Sequence, residues 1–242
     1  MNARGLSAII TIAKYFDEGE LLRIMNSTNG IITVFAGSAS RPFAQKMCDY
    51  LGVELGKSTT HIFSEGGIYV RADESIRNKD VYIVQSIGKD PNNAFTELIF
   101  WIDAFKRASA NSITAIIPYF GYAKADKKDE PRVSIRARVC ADCIEMCGAD
   151  RVVTMDLHAA QVQGFFSKPV DHLYASALLC EYARHLGIVN ENLVVVSPDA
   201  GSAKRARAYA NILGCNVAIG DKVRIGHDEN PNALEIIGDV KG

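Results

Sequence analysis

Three carboxylates and one imidazole lie where short apolar segments end, and they are the side chains best placed to do chemistry. Asp156 and His158 follow one such segment, and Asp171 and Asp199 occupy comparable positions that we predict to be loops. Such side chains suit a magnesium-nucleotide complex, because magnesium keeps several waters and takes only one or two protein carboxylates. Asp156 and His158 alternate as strand residues do and would share a face. An ordinary satisfied polar pair is the competing interpretation.

The elements that must position these side chains begin after Gly30. Short β-branched runs alternate there with helix-length amphipathic segments, the pattern of strands joined by crossover helices. The predicted strands are Ile31 to Ala36, Val81 to Gln85, Ile113 to Pro118, Arg151 to Asp156 and Leu193 to Pro198. The predicted helices are Arg41 to Leu51, Asn92 to Ala108, Ser134 to Cys147, Ala175 to Leu186 and Ser202 to Leu213. Strands that are apolar on both faces predict an α/β fold with ligands beyond their carboxyl ends.

Composition narrows the class of partner. The chain has 242 residues with 48% hydrophobic content, and its 27 Lys and Arg against 28 Asp and Glu create no global positive field. We therefore expect neither nucleic acid nor membrane as a partner. An apolar stretch from Ala8 to Phe16 is interrupted by Lys14, which argues against a signal peptide or an anchor, and Asp17 and Glu18 argue against a transit peptide. A cytoplasmic location is the expectation.

Three of the six cysteines, Cys140, Cys143 and Cys147, raise the alternative of a zinc site. Their spacing places them along one face of a predicted helix, which favours core packing. A four-ligand zinc site would need a further Cys or His, and no paired C-x-x-C sequence elsewhere offers one. We therefore expect free thiols and a reducing compartment.

A longer motif gives a more specific signal. The run Asp-Leu-His-Ala-Ala-Gln-Val-Gln-Gly-Phe-Phe-Ser-Lys-Pro-Val-Asp-His-Leu-Tyr-Ala, residues 156–175, closely resembles the signature of ribose-phosphate pyrophosphokinases. The resemblance extends from about Ile31 to Gly242. It implies two phosphoribosyltransferase-like domains with parallel sheets flanked by helices, at residues 30–174 and 175–242, the second one truncated. Residues 1–29 would be an N-terminal extension, with the domain boundary near Val170 to Leu173.

The resemblance also implies an activity and a set of site residues. The family transfers pyrophosphate from Mg-ATP to the 1-hydroxyl of ribose 5-phosphate, giving phosphoribosyl pyrophosphate and AMP, so Mg²⁺ is the expected cofactor. Assembly is expected as dimers that form hexamers, or as hetero-oligomers with related subunits. The implied catalytic residues are Lys222, Arg224 and His158, and the implied metal contacts are Asp156, His158, Asp171 and Asp199. The implied ATP-binding residues are Phe63, Glu65, Gly67, Lys124, Ala125, Asp126, Lys127, Lys128, Asp129 and His158.

The sequence departs from the family pattern in several places. Gly67 replaces a usual Glu, the pair Lys124 and Ala125 replaces a usual Arg-Gln, and Ser167 stands where many relatives have an acidic residue. The sequence also stops at Gly242, before the loop that holds the 5-phosphate of ribose in the family. A non-catalytic regulatory subunit of the same family, or an inactive fragment, is therefore the alternative to an active enzyme.

Overall fold

The computed structural model describes residues 32–223 and 233–240. These form two compact units that divide between residues 174 and 175. The strands are β1 Ile32–Ala36, β2 Ser58–Ile62, β3 Ile68–Ala72, β4 Asp80–Val84, β5 Ser112–Ile117, β6 Arg151–Met155, β7 Val170–Leu173, β8 Val194–Ser197, β9 Asn216–Val223 and β10 Ala233–Ile237. The helices are α1 Arg41–Leu51, α2 Pro91–Arg107, α3 Arg136–Cys147, α4 Ser176–His185 and α5 Ala203–Leu213. None of the helices in these ranges has the length and apolarity to span a bilayer.

The first unit is built on a five-stranded sheet with the spatial order β1-β4-β5-β6-β7, in which every neighbouring pair is parallel. The central strands are rich in Val and Ile and buried on both faces, which is the composition of a parallel sheet covered by helices. The carboxyl ends of these strands share one edge, so the loops after β1, β4, β5 and β6 all begin there. The predicted α/β class is confirmed.

Helices cover both faces of this sheet. On one face, Ile83 of β4 packs in the larger core with Trp101 of α2 and Ile144 of α3. On the other face, Val34 of β1 packs in a smaller core with Cys48 of α1. Because successive strand residues point to opposite faces, β1, β4 and β5 each contribute to both cores.

The cysteines contribute to packing. All six are free thiols, and Cys140, Cys143 and Cys147 lie on α3. Cys140 belongs to the larger core, where burial, and to a smaller extent the neighbouring Cys143, raises its pKa to about 11. Its thiol therefore stays protonated near neutral pH, and the predicted core packing of Cys140 is confirmed.

Two features of the first unit lie outside the predicted elements. Strands β2 and β3 pair as an antiparallel hairpin, and its β-branched segments on either side of Gly66 and Gly67 were a sequence signal for it. Residues Val170–Leu173, near which the domain boundary was predicted, form the edge strand β7. This strand completes the parallel ladder with β6, and the first unit ends directly after it, at residue 174.

The second unit carries a smaller sheet with the order β10-β9-β8. Strands β8 and β9 are parallel, as predicted for this fold, whereas β10 pairs with β9 in the antiparallel direction. Only residues 224–232 connect β9 to β10, and a parallel crossover takes a dozen or more residues. Helix α5 packs against β8 and β9, and α4 packs against α5.

A buried carboxylate joins the elements at the β1 side of the first unit. Glu97 of α2 is 2% exposed and accepts hydrogen bonds from the Ser38 N–H at 2.9 Å, from the Ser38 hydroxyl, and from Gln85 Nε2 at 2.9 Å. Trp101 Nε1 and Thr60 Oγ1 also donate to it, each at 3.3 Å. We call these five residues the Glu97 cluster. It links α2, the loop after β1, the end of β4 and the hairpin strand β2.

We predict that Glu97→Gln lowers the free energy of unfolding by about 2 to 4 kcal/mol. The carboxamide replaces one acceptor oxygen with an NH₂ group, which would face buried donors in the Glu97 cluster. Urea denaturation measures the change, with Glu54→Gln at an exposed position as the matched control. Equal and small losses in both variants would contradict this account of the cluster.

Candidate functional site

The turn from Asp156 to His158 follows β6 at the carboxyl edge of the parallel sheet. Asp156 adopts a left-handed backbone with φ 46°, a conformation that Asp tolerates better than most residues. Its N–H donates to the carbonyl of Leu173 at 2.9 Å. Leu157 is 5% exposed and packs in the larger core, whereas Asp156 and His158 are exposed. The buried leucine thus anchors the turn, and the acid and the imidazole are accessible to solvent.

The expectation that Asp156 and His158 alternate along a strand is wrong, because β6 ends at Met155 and Asp156 leaves the extended conformation. A second contact supports the turn: Nε2 of His172 accepts a hydrogen bond from the Leu157 N–H at 2.9 Å. A carboxylate suits magnesium and an imidazole suits phosphate oxygens, so the turn fits a magnesium-nucleotide complex. Within the described ranges, no three acidic, His or Cys side chains converge as a metal-binding cluster.

Asp171 lies within β7, where it is in register with Val153 of β6, so its predicted loop position is wrong. Its carboxylate forms an ion pair with Arg151 Nη1 at 2.7 Å. Arg151 is the first residue of β6, whereas Asp156 follows its last residue. The Asp171 carboxylate is therefore engaged toward the amino end of the strands, away from the Asp156 turn.

The charged run from Lys124 to Asp129 follows β5, the strand beside β6. Lys124, Lys127, Lys128 and Asp129 are exposed, and Asp126 is half-buried. The loop that carries them leaves the sheet at the same edge as the Asp156 turn. Three exposed lysines thus lie on the loop after β5, and the exposed Asp156 and His158 lie on the turn after the neighbouring strand β6.

Ala125 differs from the rest of this run. It is 9% exposed, its N–H donates to the Tyr122 carbonyl at 2.9 Å, and its carbonyl accepts from the Ala137 N–H at 3.2 Å. Ala125 thus packs the loop onto the start of α3. Earlier in the loop, Gly121 lies so close to Ile87 that an ideal Cβ there would be 2.4 Å from the Ile87 carbonyl oxygen.

Phe63, Glu65 and Gly67 form the tip of the β2–β3 hairpin. The Phe63 N–H donates to the Gly67 carbonyl at 2.8 Å and closes the tip. The Phe63 ring makes edge contacts with His61 and Tyr69, with centroids 4.9 and 6.4 Å away, yet it remains 45% exposed. A supported and exposed aromatic ring can stack on a planar base.

The structure brings together only part of the predicted site. The charged run and the Asp156 turn follow the adjacent strands β5 and β6. The hairpin is attached through Thr60 to the Glu97 cluster, beside the loop after β1. In the sheet, β4 and β5 lie between β1 and β6, the strand that leads to the Asp156 turn.

Glu145 of α3 holds the far end of the signature run, a contact that sequence reasoning missed. Its carboxylate accepts hydrogen bonds from the Ser167 N–H and hydroxyl, both at 2.6 Å, and from the Lys168 N–H at 2.7 Å. Burial alone would raise the pKa of Glu145, but these hydrogen bonds and the charge of Arg138 together hold it below its ordinary value of 4.5. Ser167 thus donates to a carboxylate at the position where an acidic residue was expected from the family pattern.

The remaining candidates belong to the second unit. Asp199 follows β8 and caps a short helix by accepting from the Ser202 N–H at 2.8 Å. Its carbonyl accepts a hydrogen bond from the buried Ser197 hydroxyl at 2.7 Å. Lys222 lies in β9, and Arg224 lies outside the described residues.

Comparison with known proteins identifies the relatives of this chain. Residues 32–148 match the N-terminal domain of ribose phosphate pyrophosphokinase. The chain is 48% identical to a ribose-phosphate pyrophosphokinase of Deinococcus radiodurans, over 90% of this chain and 68% of that protein. It is 44% identical to ribose-phosphate pyrophosphokinase 2, chloroplastic, of Arabidopsis thaliana, and there it spans 96% of its own length but 58% of the relative.

A solved structure extends the likeness to three dimensions. The crystal structure of phosphoribosylpyrophosphate synthetase from Mycobacterium smegmatis matches with a TM-score of 0.79 and 41% identity. The match covers 87% of this chain and 68% of that one.

We predict that Gly121→Ala lowers the free energy of unfolding by about 1 to 3 kcal/mol. The added methyl group would overlap the Ile87 carbonyl oxygen and displace the loop that carries the charged run. Gly164→Ala is the matched control, because nothing lies within 4 Å of an ideal Cβ there. Thermal or urea denaturation measures both, and a Gly121→Ala variant as stable as Gly164→Ala would show that the close approach is not made in solution.

We also predict that the stabilisation provided by Glu145 depends on pH. Since the pKa of Glu145 is lowered in the folded state, its contribution is fully present above about pH 4.5 and is lost as the pH falls through the folded-state pKa. The free energies of unfolding of the wild-type chain and of Glu145→Gln should therefore converge on acidification. Exposed Glu130→Gln serves as the control. A difference between wild type and Glu145→Gln that stays constant down to about pH 3 would contradict the contact.

Proposed function

Because the chain belongs to the ribose-phosphate pyrophosphokinase family, we propose that it transfers a pyrophosphoryl group from Mg-ATP to ribose 5-phosphate. The products would be phosphoribosyl pyrophosphate and AMP. The observation that carries the proposal is the exposure of Asp156 and His158 on a hydrogen-bonded turn at the carboxyl edge of the parallel sheet. Ligands of open α/β sheets bind at this edge.

The triphosphate and its magnesium ion are assigned to the loops after β5 and β6. Asp156 would contribute a carboxylate oxygen to the magnesium ion, directly or through water, since magnesium bound to nucleotides keeps most of its waters. His158 would bind phosphate oxygens. Lys127 and Lys128, both exposed, would offset negative charge as the pyrophosphoryl group leaves AMP. We leave Asp171 out of this site, because its carboxylate pairs with Arg151.

The adenine is assigned to the hairpin tip, where Phe63 offers an exposed ring face and Glu65 an exposed carboxylate. Gly67 has no side chain with which to accept a hydrogen bond from the base. A missing polar partner of this kind costs about 1 to 3 kcal/mol of discrimination. We therefore infer weaker selection of adenine than a Glu at this position would give.

The second unit carries candidate groups of its own. Charge stabilisation by Lys222 and Arg224 is proposed because the family's Lys-x-Arg pair implies it. Asp199 is proposed as a magnesium ligand. Its carboxylate already caps the Ser202 N–H, and a carboxylate can accept a backbone hydrogen bond and bind a cation at once, because its two oxygens offer about four lone-pair sites.

A non-catalytic subunit is the second candidate, favoured by Gly67 and by Ala125, which is buried rather than exposed to a ligand. An assay of ribose-5-phosphate-dependent AMP release separates the two. Turnover by the chain supports the enzyme, whereas Mg-ATP binding without turnover supports the non-catalytic subunit.

Family membership is also the basis for proposing homo-oligomers or assemblies with related subunits, which sedimentation velocity would resolve. A cytoplasmic location stays a proposal, since the plant relatives are named chloroplastic.

We predict that the wild-type chain binds Mg-ATP and that His158→Ala weakens binding by about tenfold, the equivalent of about 1.4 kcal/mol for a lost charge-assisted contact. Isothermal titration calorimetry measures both affinities. His185→Ala, at an exposed histidine of α4, is the matched control. Binding that is equally strong in all three proteins would exclude His158 from the nucleotide site.

We further predict that Gly67→Glu increases the preference for ATP over GTP by about 1 to 3 kcal/mol, because it restores an acceptor at the hairpin tip. Gly67→Ala controls for the added Cβ, which would lie 3.3 Å from the Glu65 Oε1. Competition binding with the two nucleotides gives the ratio. An unchanged ratio in Gly67→Glu would show that this position does not read the base.

A further inference from the structure

The strand β7 carries a histidine, His172, whose side chain contacts the backbone of the turn after β6. His172 is in register with Thr154, but its Nε2 accepts a hydrogen bond from the Leu157 N–H at 2.9 Å. The imidazole therefore contacts the backbone between Asp156 and His158. We propose that His172 is a positioning residue, which holds Asp156 and His158 in the geometry that Mg-ATP requires. The part that concerns Mg-ATP rests on the proposed function.

Two consecutive amides of the turn are tied to two consecutive residues of β7. The Asp156 N–H donates to the Leu173 carbonyl at 2.9 Å, and the Leu157 N–H donates to the His172 ring. Between them the chain passes through the left-handed conformation of Asp156, with φ 46°. Such a conformation persists in a residue other than glycine only when surrounding contacts hold it. The hydrogen bond from Leu157 is one of those contacts.

The contact has a specific chemical requirement. A backbone N–H can only donate, so the atom that faces it must be an acceptor. The ring of His172 also lies against Tyr174, with centroids 4.3 Å apart and planes at 42°, which fixes its orientation. Phenylalanine would keep the ring contact and remove the acceptor. Glutamine would lose the ring but place a carbonyl oxygen at about the same distance along the side chain as Nε2.

The consequence is a loss of geometry rather than of a ligand contact. Without the hydrogen bond the side chain of Leu157 would still be buried, but the peptide units on either side of it would gain freedom. Asp156 and His158 would then sample orientations that do not bind the magnesium-nucleotide complex. The affinity for Mg-ATP would fall in proportion to the fraction of molecules that keep the binding orientation. A residue that merely joins β6 to β7 would affect stability and leave nucleotide affinity unchanged.

Arg151→Ala provides the matched control for strand pairing. Its ion pair with Asp171 joins the same two strands at their amino ends, far along β6 from the turn. Neither Arg151 nor Asp171 belongs to the proposed nucleotide site. If general loosening of the β6–β7 pairing were the cause, Arg151→Ala would therefore show the same loss of affinity and the same faster exchange.

The test compares the wild-type chain with His172→Phe, His172→Gln and Arg151→Ala by calorimetry with Mg-ATP and by amide hydrogen exchange at Leu157. We expect His172→Phe to lose about fivefold to tenfold in affinity and to exchange the Leu157 amide faster, which is the effect of one lost hydrogen bond. His172→Gln should recover both properties, and Arg151→Ala should retain both. Wild-type affinity in His172→Phe, or an equal loss in Arg151→Ala, would overturn the proposal.

Hydrogen exchange at Leu157 tests the positioning role of His172 independently of the proposed function. If the wild-type chain binds no Mg-ATP, the proposed function fails. The positioning claim is then decided by whether Leu157 exchange accelerates in His172→Phe and not in His172→Gln. If His172→Phe does not fold, the wild-type chain alone still gives an answer. A Leu157 amide that exchanges in the wild-type chain as fast as an unprotected one would show that the hydrogen bond is absent in solution, and would overturn the proposal.

Discussion

The buried carboxylate of Glu97 sets the arrangement of the β1 side of the first unit. A carboxylate removed from water is costly unless donors replace its hydration, and here the donors come from the loop after β1, the end of β4, the hairpin and α2 itself. Satisfying one charge therefore fixes four segments relative to one another. Gly37 lies against the same cluster and leaves no room for a side chain, because an ideal Cβ there would lie 2.4 Å from Gln85 Oε1. The hairpin that carries Phe63 is attached to the sheet partly through this point.

At the β6–β7 end of the strand order, the Asp156 turn is held by different contacts. The Asp156 turn has no comparable buried charge and is held by one buried side chain, Leu157, and by hydrogen bonds to two neighbouring residues of β7. Parallel pairing places Met155 opposite Leu173, so the end of β6 and the end of β7 are adjacent. The exposed acid and imidazole can then face solvent while two backbone amides of the turn are hydrogen-bonded to β7. Chemistry on phosphates depends on such positioning of exposed functional groups.

Sequence patterns predicted the elements that depend on local composition. The strands β1, β4, β5, β6 and β8 and all five described helices agree with prediction to within one or two residues at most ends, because β-branched apolar runs and amphipathic periods are local properties. The edge strand β7 was missed because its segment, Val170 to Leu173, contains Asp171 and His172 and does not read as apolar. Its pairing depends on β6, the preceding strand, and no pattern within the segment itself reveals that partner.

The residues of the candidate site come from the sequence motif, whereas their geometry did not follow from the sequence. The motif proposes Asp156 and His158, but periodicity extended the strand through Asp156, and no local pattern signals a left-handed aspartate. The placement of Asp171 failed for a related reason, since its ion pair with Arg151 depends on the register of β6 and β7. Likewise, Glu145 and Ser167 are 22 residues apart in the chain, and their contact follows only from how α3 packs beside the signature run.

The proposed nucleotide site depends on binding of the triphosphate of Mg-ATP by the Asp156 turn. The most direct measurement is a crystal structure of the chain with Mg²⁺ and a non-hydrolysable ATP analogue. We expect phosphate oxygens within about 3 Å of the His158 imidazole and the magnesium ion bound through Asp156 or a water that it holds. A nucleotide bound instead at the amino ends of the strands, beside Arg151 and Asp171, would contradict the claim.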